Sequence, residues 1–318
     1  MHVARLTPTS LRTPLLSFAG IAACAALLLA PVSLTGQTPG REPGVVELGV
    51  GARAAGLGAA QVSANDSDLF LTHAALAGAG GMQIGFSRFG KNGTRMSFTS
   101  ARRWFGGSIG VGLGLETLEY RGGAPGSRAG GVDPFFGDGA TGVSETSAAL
   151  GIASELFGID FGVTTRLITS RFDASRKTHA TMDVGITQGA GPFDFALTVR
   201  SLGPKRTIDG ARVRPPTEVV LGGGFYGRPT GPLDLGMAAE VRRRADGEFL
   251  AGGGIELGYY PVNGRNFVGR VGFRNVPEGD AKPFSVGGSY WGDDLVLEWG
   301  WHPIDGNGGI HTFSIGWR

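Results

Sequence analysis

From Met82 onward, hydrophobic and polar residues alternate in short bursts that recur about every 15 to 20 residues. Near the C-terminus, Leu295, Leu297, Trp299 and Trp301 fall on one side, against Asp294, Val296, Glu298, Gly300 and His302. Likewise Leu233, Leu235, Met237, Ala239 and Val241 oppose Asp234, Gly236, Ala238, Glu240 and Arg242. Phe193, Phe195, Leu197 and Val199 oppose Asp194, Ala196, Thr198 and Arg200. A period of two sustained in this way describes a strand with one apolar face, and a series of such strands describes a barrel or a sandwich. The pattern predicts fourteen strands, at 81–89, 95–103, 107–120, 143–156, 159–172, 177–188, 193–202, 216–227, 232–244, 248–259, 264–275, 283–291, 294–302 and 309–317.

The lengths of the intervening segments separate barrel from sandwich. Every second connection (104–106, 157–158, 189–192, 228–231, 260–263 and 292–293) is short, whereas 121–142, 203–215, 276–282 and 303–308 all fall in the alternate set. Long connections therefore gather at one end. Bacterial outer-membrane barrels have short periplasmic turns and long extracellular loops, and a sandwich has no reason to sort its loops this way. The expected fold is all-β, a 14-stranded antiparallel transmembrane barrel with both termini in the periplasm. Loop 121–142, rich in glycine and carrying Pro134, Phe135 and Phe136, would lie outside the cell.

Charge sharpens the picture. The polar faces of the predicted strands carry Arg166, Asp234, Glu240, Arg242, Glu256, Arg270, Arg274 and Glu298. A basic side chain facing lipid at mid-bilayer costs ~2–4 kcal/mol, and an acidic one less, so these residues are expected to line the lumen. They would either fill it as mutually paired charges or act as a selectivity surface. The same faces carry Gly110, Gly112, Gly114, Gly222, Gly224, Gly252, Gly254 and Gly258. Bare backbone in a strand marks the close approach of another backbone, or else eases the curvature of the wall.

Residues 1–80 lack this alternation. Arg5 and Arg12, an apolar stretch from Pro14 to Ala30, and small or polar residues from Ser33 to Gln37 read as a secretory signal over 1–36. A rival reading takes Ile21-Ala22-Ala23-Cys24 as a lipobox, although the apolar run continues past Cys24 through Leu29. Removing the segment takes away the only cysteine and leaves 27 Lys+Arg against 27 Asp+Glu, so nothing in the charge suggests a nucleic-acid partner. The 58 glycines among 318 residues far exceed the ~7% of ordinary chains. An exported, glycine-rich, half-apolar chain without a Gly-X-Y period again fits a barrel.

Within residues 37–80, the order Gly51-Ala52-Arg53, Gly56-x-Gly58-x-Ala60, Asn65-Asp66 and Leu71-Thr72-His73-Ala74-Ala75-Leu76 resembles the N-terminal segment of the PorV/PorQ family. These are outer-membrane barrels of the FadL-like type. Ala74 and Leu76 match the end of that family's Asn-Pro-Ala-Gly-Leu motif, while Thr72 and His73 stand where Asn and Pro are usual. The resemblance implies a hatch inside the barrel, containing Arg53, Gly56, Gly58, Thr72, His73 and Ala74. Arg53 would meet Glu240, Glu256 or Glu298. Because His73 restores the N–H that proline lacks, Leu69 to Ala77 is expected to be helical, with Leu69, Leu71 and Leu76 burying little area. The last strand, with Phe313, Ile315 and Trp317 on one face, resembles the signature read by the barrel-assembly machinery.

Catalytic and metal chemistry find no support. Gly106-Gly107-Ser108-Ile109-Gly110 fits Gly-x-Ser-x-Gly but opens a strand rather than a helix, and there is no ligand cluster of metal-binding spacing. No cofactor is implied. The expected function is a passive channel or transporter in the outer membrane of a diderm bacterium, and the FadL-like resemblance implies that it takes hydrophobic or poorly soluble small molecules. The alternative is a PorV-like accessory of type IX secretion that binds cargo at the extracellular rim. Expected partners are outer-membrane lipids, the assembly machinery, and either a hydrophobic small molecule or secretion components.

Overall fold

The computed structural model describes residues 51–60, 71, 73–76, 80–89, 93–105, 108–120, 143–172, 175–208, 211–213, 215–230, 232–245, 247–262, 264–275, 282–303 and 309–317. The predicted signal segment, loop 121–142, Asn65-Asp66 and Leu69 lie outside them.

Fourteen antiparallel strands close into a barrel. They are β1 (Gly81–Phe89), β2 (Gly93–Trp104), β3 (Ile109–Tyr120), β4 (Val143–Leu156), β5 (Ile159–Phe172), β6 (Ser175–Ala190), β7 (Phe193–Leu202), β10 (Glu218–Thr230), β11 (Leu233–Arg244), β12 (Phe249–Val262), β13 (Arg265–Arg274), β14 (Phe284–Trp291), β15 (Leu295–His302) and β16 (Ile310–Trp317), while β8 (Arg206–Ile208) and β9 (Ala211–Val213) form a separate hairpin. Each barrel strand pairs with its neighbours in sequence, and β1 closes on β16 in a register running from Met82 opposite Trp317 to Phe89 opposite Ile310. The strand ends differ from the sequence expectation by at most a few residues. The small hairpin was not expected, although Asp209-Gly210 between its arms is a strong hairpin signal.

The alternation decides which way each side chain points, and the outcome inverts a soluble protein. Large apolar residues face outward and are exposed, among them Leu115 (57%), Leu113 (55%) and Leu167 (54%). Charged residues face inward and are buried, among them Arg166, Glu116, Asp183 and Arg270. Aromatic residues gather near both ends of the outer face. Phe267 and Tyr290 lie 5.2 Å apart toward the short turns, and Phe284 and Trp301 lie 6.0 Å apart toward the long connections.

The connections at one end are 105–108, 157–158, 191–192, 231–232, 263–264 and 292–294, and the other end holds 121–142, 203–217 and 275–283. With an even number of strands, β1 starts and β16 ends on the short-turn side. Of the Gly-x-Ser-x-Gly stretch, Ile109 and Gly110 open β3, and Ser108 Oγ donates to the Phe105 carbonyl at 2.7 Å.

Candidate functional site

Two described stretches of the N-terminal segment contact the charged inner face of the wall. The first begins with a one-turn helix, α1 (Ala52–Gly56), and continues to Ala60. Alanine favours the helix, and the chain leaves it through Gly58 and Ala59 at φ 64° and 68°. This stretch seats on bare backbone. A Cβ at Gly56 would sit 3.1 Å from Gly287 Cα. One at Gly58 would strike the Phe273 carbonyl oxygen and approach that of Gly253 at 2.8 Å. From the wall side, a Cβ on Gly252, Gly272 or Gly300 would collide with the backbone of Gly58, Gly58 or Ala52 respectively. One on Gly254 would lie 3.0 Å from Leu57 Cα.

Polar contacts fix the same stretch. Arg53 Nη2 meets Glu256 Oε1 at 2.5 Å, and both are buried. Glu256 also pairs with Arg270 at 3.1 Å, and Arg270 reaches Glu298 at 3.0 Å and Ser289 Oγ at 3.1 Å. The Gly58 N–H donates to Ser285 Oγ at 3.0 Å, and Arg242, paired with Glu240, donates to the Ala59 carbonyl at 2.8 Å. The chain therefore brings together Arg53, Gly56, Gly58, Glu240, Arg242, Glu256, Arg270 and Glu298. Two arginines balance two carboxylates in the Arg53–Glu256–Arg270–Glu298 chain.

The second stretch includes Leu71 and residues 73–76. Arg166 holds it by donating to the Leu71 carbonyl while pairing with Asp183 at 2.8 Å and lying 4.0 Å from Glu116. Arg95 in turn pairs with Glu116. The Asp183 carboxylate also accepts the Ser201 N–H at 2.7 Å, and Arg200 pairs with Glu218 at 2.7 Å. Leu71 is fully buried on a floor of Ala101, Ala149 and Ala153. Gly112 lies directly opposite Ala101 and Gly151 in that part of the wall. Gly162 and Gly185 admit the segment itself. A Cβ on Gly162 would collide with the Ala74 carbonyl, and one on Gly185 would lie 2.8 Å from the His73 ring.

His73 is buried, with no hydrogen-bond partner at either ring nitrogen among the described residues. Burial strips the imidazolium of water, and Arg200 repels it; together they lower its pKa from 6.5 to about 4, against a smaller upward pull from its own backbone and Asp183. The ring is therefore neutral at pH 7.

Two expectations for this stretch fail. Instead of one continuous helix over 69–77, its described residues are 3-10 at Leu71 and at Ala74–Leu76, with His73 in neither. Arg166 donates to the Leu71 carbonyl from the wall, and so short a run has little to offset helix nucleation. Leu71, expected to bury little, is completely enclosed. The expected glycine wall is also redistributed. Of its members, Gly252 and Gly254 meet the segment, whereas Gly258 faces Asn266 and Asp234. Gly162, Gly185, Gly272, Gly287 and Gly300 meet the segment although sequence reading passed over them.

Asp234 and Arg274 face inward on β11 and β13 but join neither network among the described residues. Thr72 lies outside the described residues. The expected luminal set also left out Arg200, although it was placed on a polar face, and Arg95, Glu116, Asp183 and Glu218, although each occupies the polar phase of a predicted strand.

No known family profile matches the sequence, and no curated protein does. Solved structures share the fold. The Pseudomonas putida toluene transporter TodX matches with a TM-score of 0.56 at 10% identity, over 84% of this chain and 96% of that one. A Pseudomonas aeruginosa FadL homologue matches at 0.52 and 7% identity, over 84% and 98%. The CymD monoaromatic hydrocarbon channel matches at 0.52 and 8%, over 84% and 96%.

Proposed function

We propose that this chain is an outer-membrane β-barrel of FadL-like type that passes hydrophobic or poorly soluble small molecules through a lumen gated by its N-terminal segment. The observation that carries the reading is the inversion of the wall: an apolar exterior of exposed Leu, Ile, Val, Met and Phe around a buried, charge-paired interior that also receives residues 51–60 and 71–76. Exposed apolar surface on this scale is unfavourable in water and favourable in hydrocarbon. Export through an N-terminal signal and insertion by the barrel-assembly machinery belong to the same reading. Phe313, Ile315 and Trp317 point outward on the last strand, where that machinery would read them.

The charges of the two networks are paired rather than presented to a permeant, and through Arg53–Glu256, Arg166 and Arg242 they hold the segment. The shared fold with the toluene transporter and the hydrocarbon channel is what supports a hydrophobic class of permeant. Gene deletion and complementation in the native host tests the reading. Uptake of a radiolabelled monoaromatic hydrocarbon or long-chain fatty acid should fall on deletion and return with the gene, while export of surface proteins is unaffected. Unchanged uptake with lost export would instead assign the chain to secretion.

A further inference from the structure

Two adjacent short turns carry a feature that closing the barrel does not require. Between β2 and β3, Phe105 holds φ at 53°, and between β4 and β5, Phe157 holds φ at 56° beside Gly158 at 77°. A bulky side chain is disfavoured in this left-handed region, and glycine, asparagine or aspartate is the usual choice in so tight a turn. Both side chains are nevertheless largely bare, Phe105 at 80% and Phe157 at 94% exposure. Backbone strain kept for the display of two phenyl rings points to a use for those rings.

The rings continue the outward face of the wall. Ile109 pairs with Trp104 on one side and with Ser154 on the other, and Ser154 pairs with Phe161, so the two turns are neighbours on the rim. Trp104, Leu156 and Phe161 are exposed there. Arg102 shares the face, its guanidinium 5.0 Å from the centre of the Trp104 ring. Aromatic rings with a cation stacked among them suit the boundary between acyl chains and headgroups.

The rim of β13–β15 is different. Toward it, Phe267 is followed by Arg265, and Tyr290 by Gly292, Asp293 and Asp294; the arginine and both aspartates are exposed. At the long connections the order reverses. Outward residues of β3–β5 turn polar before the strands end, first at Thr117, Thr146 and Thr169, then at Glu119, Ser144 and Arg171. Phe273, Phe284 and Trp301 instead keep β13–β15 apolar to within a residue of their ends. The apolar belt therefore runs obliquely to the strand ends, low on β2–β5 and high on β13–β15.

We propose that the rim formed by the β2–β3 and β4–β5 turns is a lipid anchor, with Phe105 and Phe157 seated in the boundary between acyl chains and headgroups while the β14–β15 turn stands in water. The anchor rests on the reading that the barrel spans a membrane, and it lies outside the lumen.

The test uses the full chain with Cys24→Ala and one introduced cysteine carrying an environment-sensitive fluorophore, reconstituted in phosphatidylcholine nanodiscs. Migration on gels with and without heating first establishes that the barrel has inserted and closed; without heat-modifiable migration the membrane reading falls, and the anchor with it. For the closed barrel, quenching by nitroxide-bearing lipid is compared with quenching by aqueous iodide. The lipid-to-iodide ratio at Leu156→Cys should exceed that at Asp294→Cys several-fold. Phe105→Gly/Phe157→Gly suits the left-handed backbone, so rings without a role predict an intact barrel and an unchanged ratio at position 156. The anchor predicts an intact barrel whose ratio falls toward that of the label at position 294. Phe105→Asn/Phe157→Asn, also compatible with that backbone, repeats the test with polar tips. Equal ratios at the two turns, or a ratio at position 156 that survives both double variants, would overturn the anchor and leave the barrel reading standing. So would a label at position 156 shielded from both quenchers, which would put a second copy of the chain on the rim.

Discussion

Residues 52–60 reach β12–β15 backbone to backbone, with glycines on both sides of the contact and one side chain of the segment, Arg53, joined to Glu256. Residues 71–76 meet β4–β6 the other way round. There the wall supplies the cation, Arg166, the segment supplies only a carbonyl, and its one titratable group, His73, has no hydrogen-bond partner among the described residues. The first seat is held by shape and a redundant charge network, since Glu256 keeps Arg270 if Arg53 is lost. In the second, Leu71 sits on the alanine floor and the described polar hold comes from one arginine, beside one neutral imidazole. The difference predicts that the stretch around Leu71 and 73–76 releases before 52–60.

The largest expected effect comes from Arg166→Ala. It strips Leu71 of its donor and leaves Asp183 as a buried carboxylate without its cation, whereas Glu116 keeps Arg95, at a cost of about 3–5 kcal/mol. Equilibrium unfolding in detergent reads the loss, and labelling of a cysteine introduced at Ala75 should speed up while one at Ala55 stays protected.

Acidification should act in the same place. His73 has a folded pKa of about 4, below the unfolded value of 6.5, so the protonated form favours the released state. The docked state is fully stable above pH 6.5, loses stability as pH falls through the window between 6.5 and 4, and has lost about 3 kcal/mol below it. Labelling at Ala75 should rise across that window in wild type and lose the dependence in His73→Phe.

Gly254→Leu attacks the other seat. Its Cβ would lie 2.6 Å from the Val271 carbonyl and 3.0 Å from Leu57 Cα, so strain of about 1–3 kcal/mol should loosen 52–60. Cells should become more permeable to small antibiotics; unchanged permeability would reduce the glycine to a curvature device. Arg53→Ala should cost least, about 1–2 kcal/mol, because Arg270 still satisfies Glu256. A loss as large as that of Arg166→Ala would erase the contrast between the two seats.

Much of the barrel was legible because period-two alternation is a local property, and loop parity follows once the strands are counted. The Leu295–Trp301 and Leu233–Val241 phases name the outward face directly. The seats were less legible for physical reasons. A five-residue helix such as α1 is too short to show a 3.6 period. Which glycine meets the segment depends on how deep the segment sits in the barrel, and no strand's own pattern encodes that depth. So Gly272 and Gly300 escaped notice while Gly258, in the same phase as Gly252 and Gly254, turned toward Asn266. Arg166 was visible as an inward charge, but its grip on the Leu71 carbonyl is a tertiary contact that no strand's own pattern encodes.

The central claim is that the N-terminal segment closes an otherwise open barrel, and conductance across a planar bilayer tests it most directly. The intact protein should show little ion conductance, whereas a chain lacking residues 51–76 but retaining β1–β16 should form steady, ion-conducting pores. Equal conductance of the two proteins, whether both open or both silent, would contradict the account.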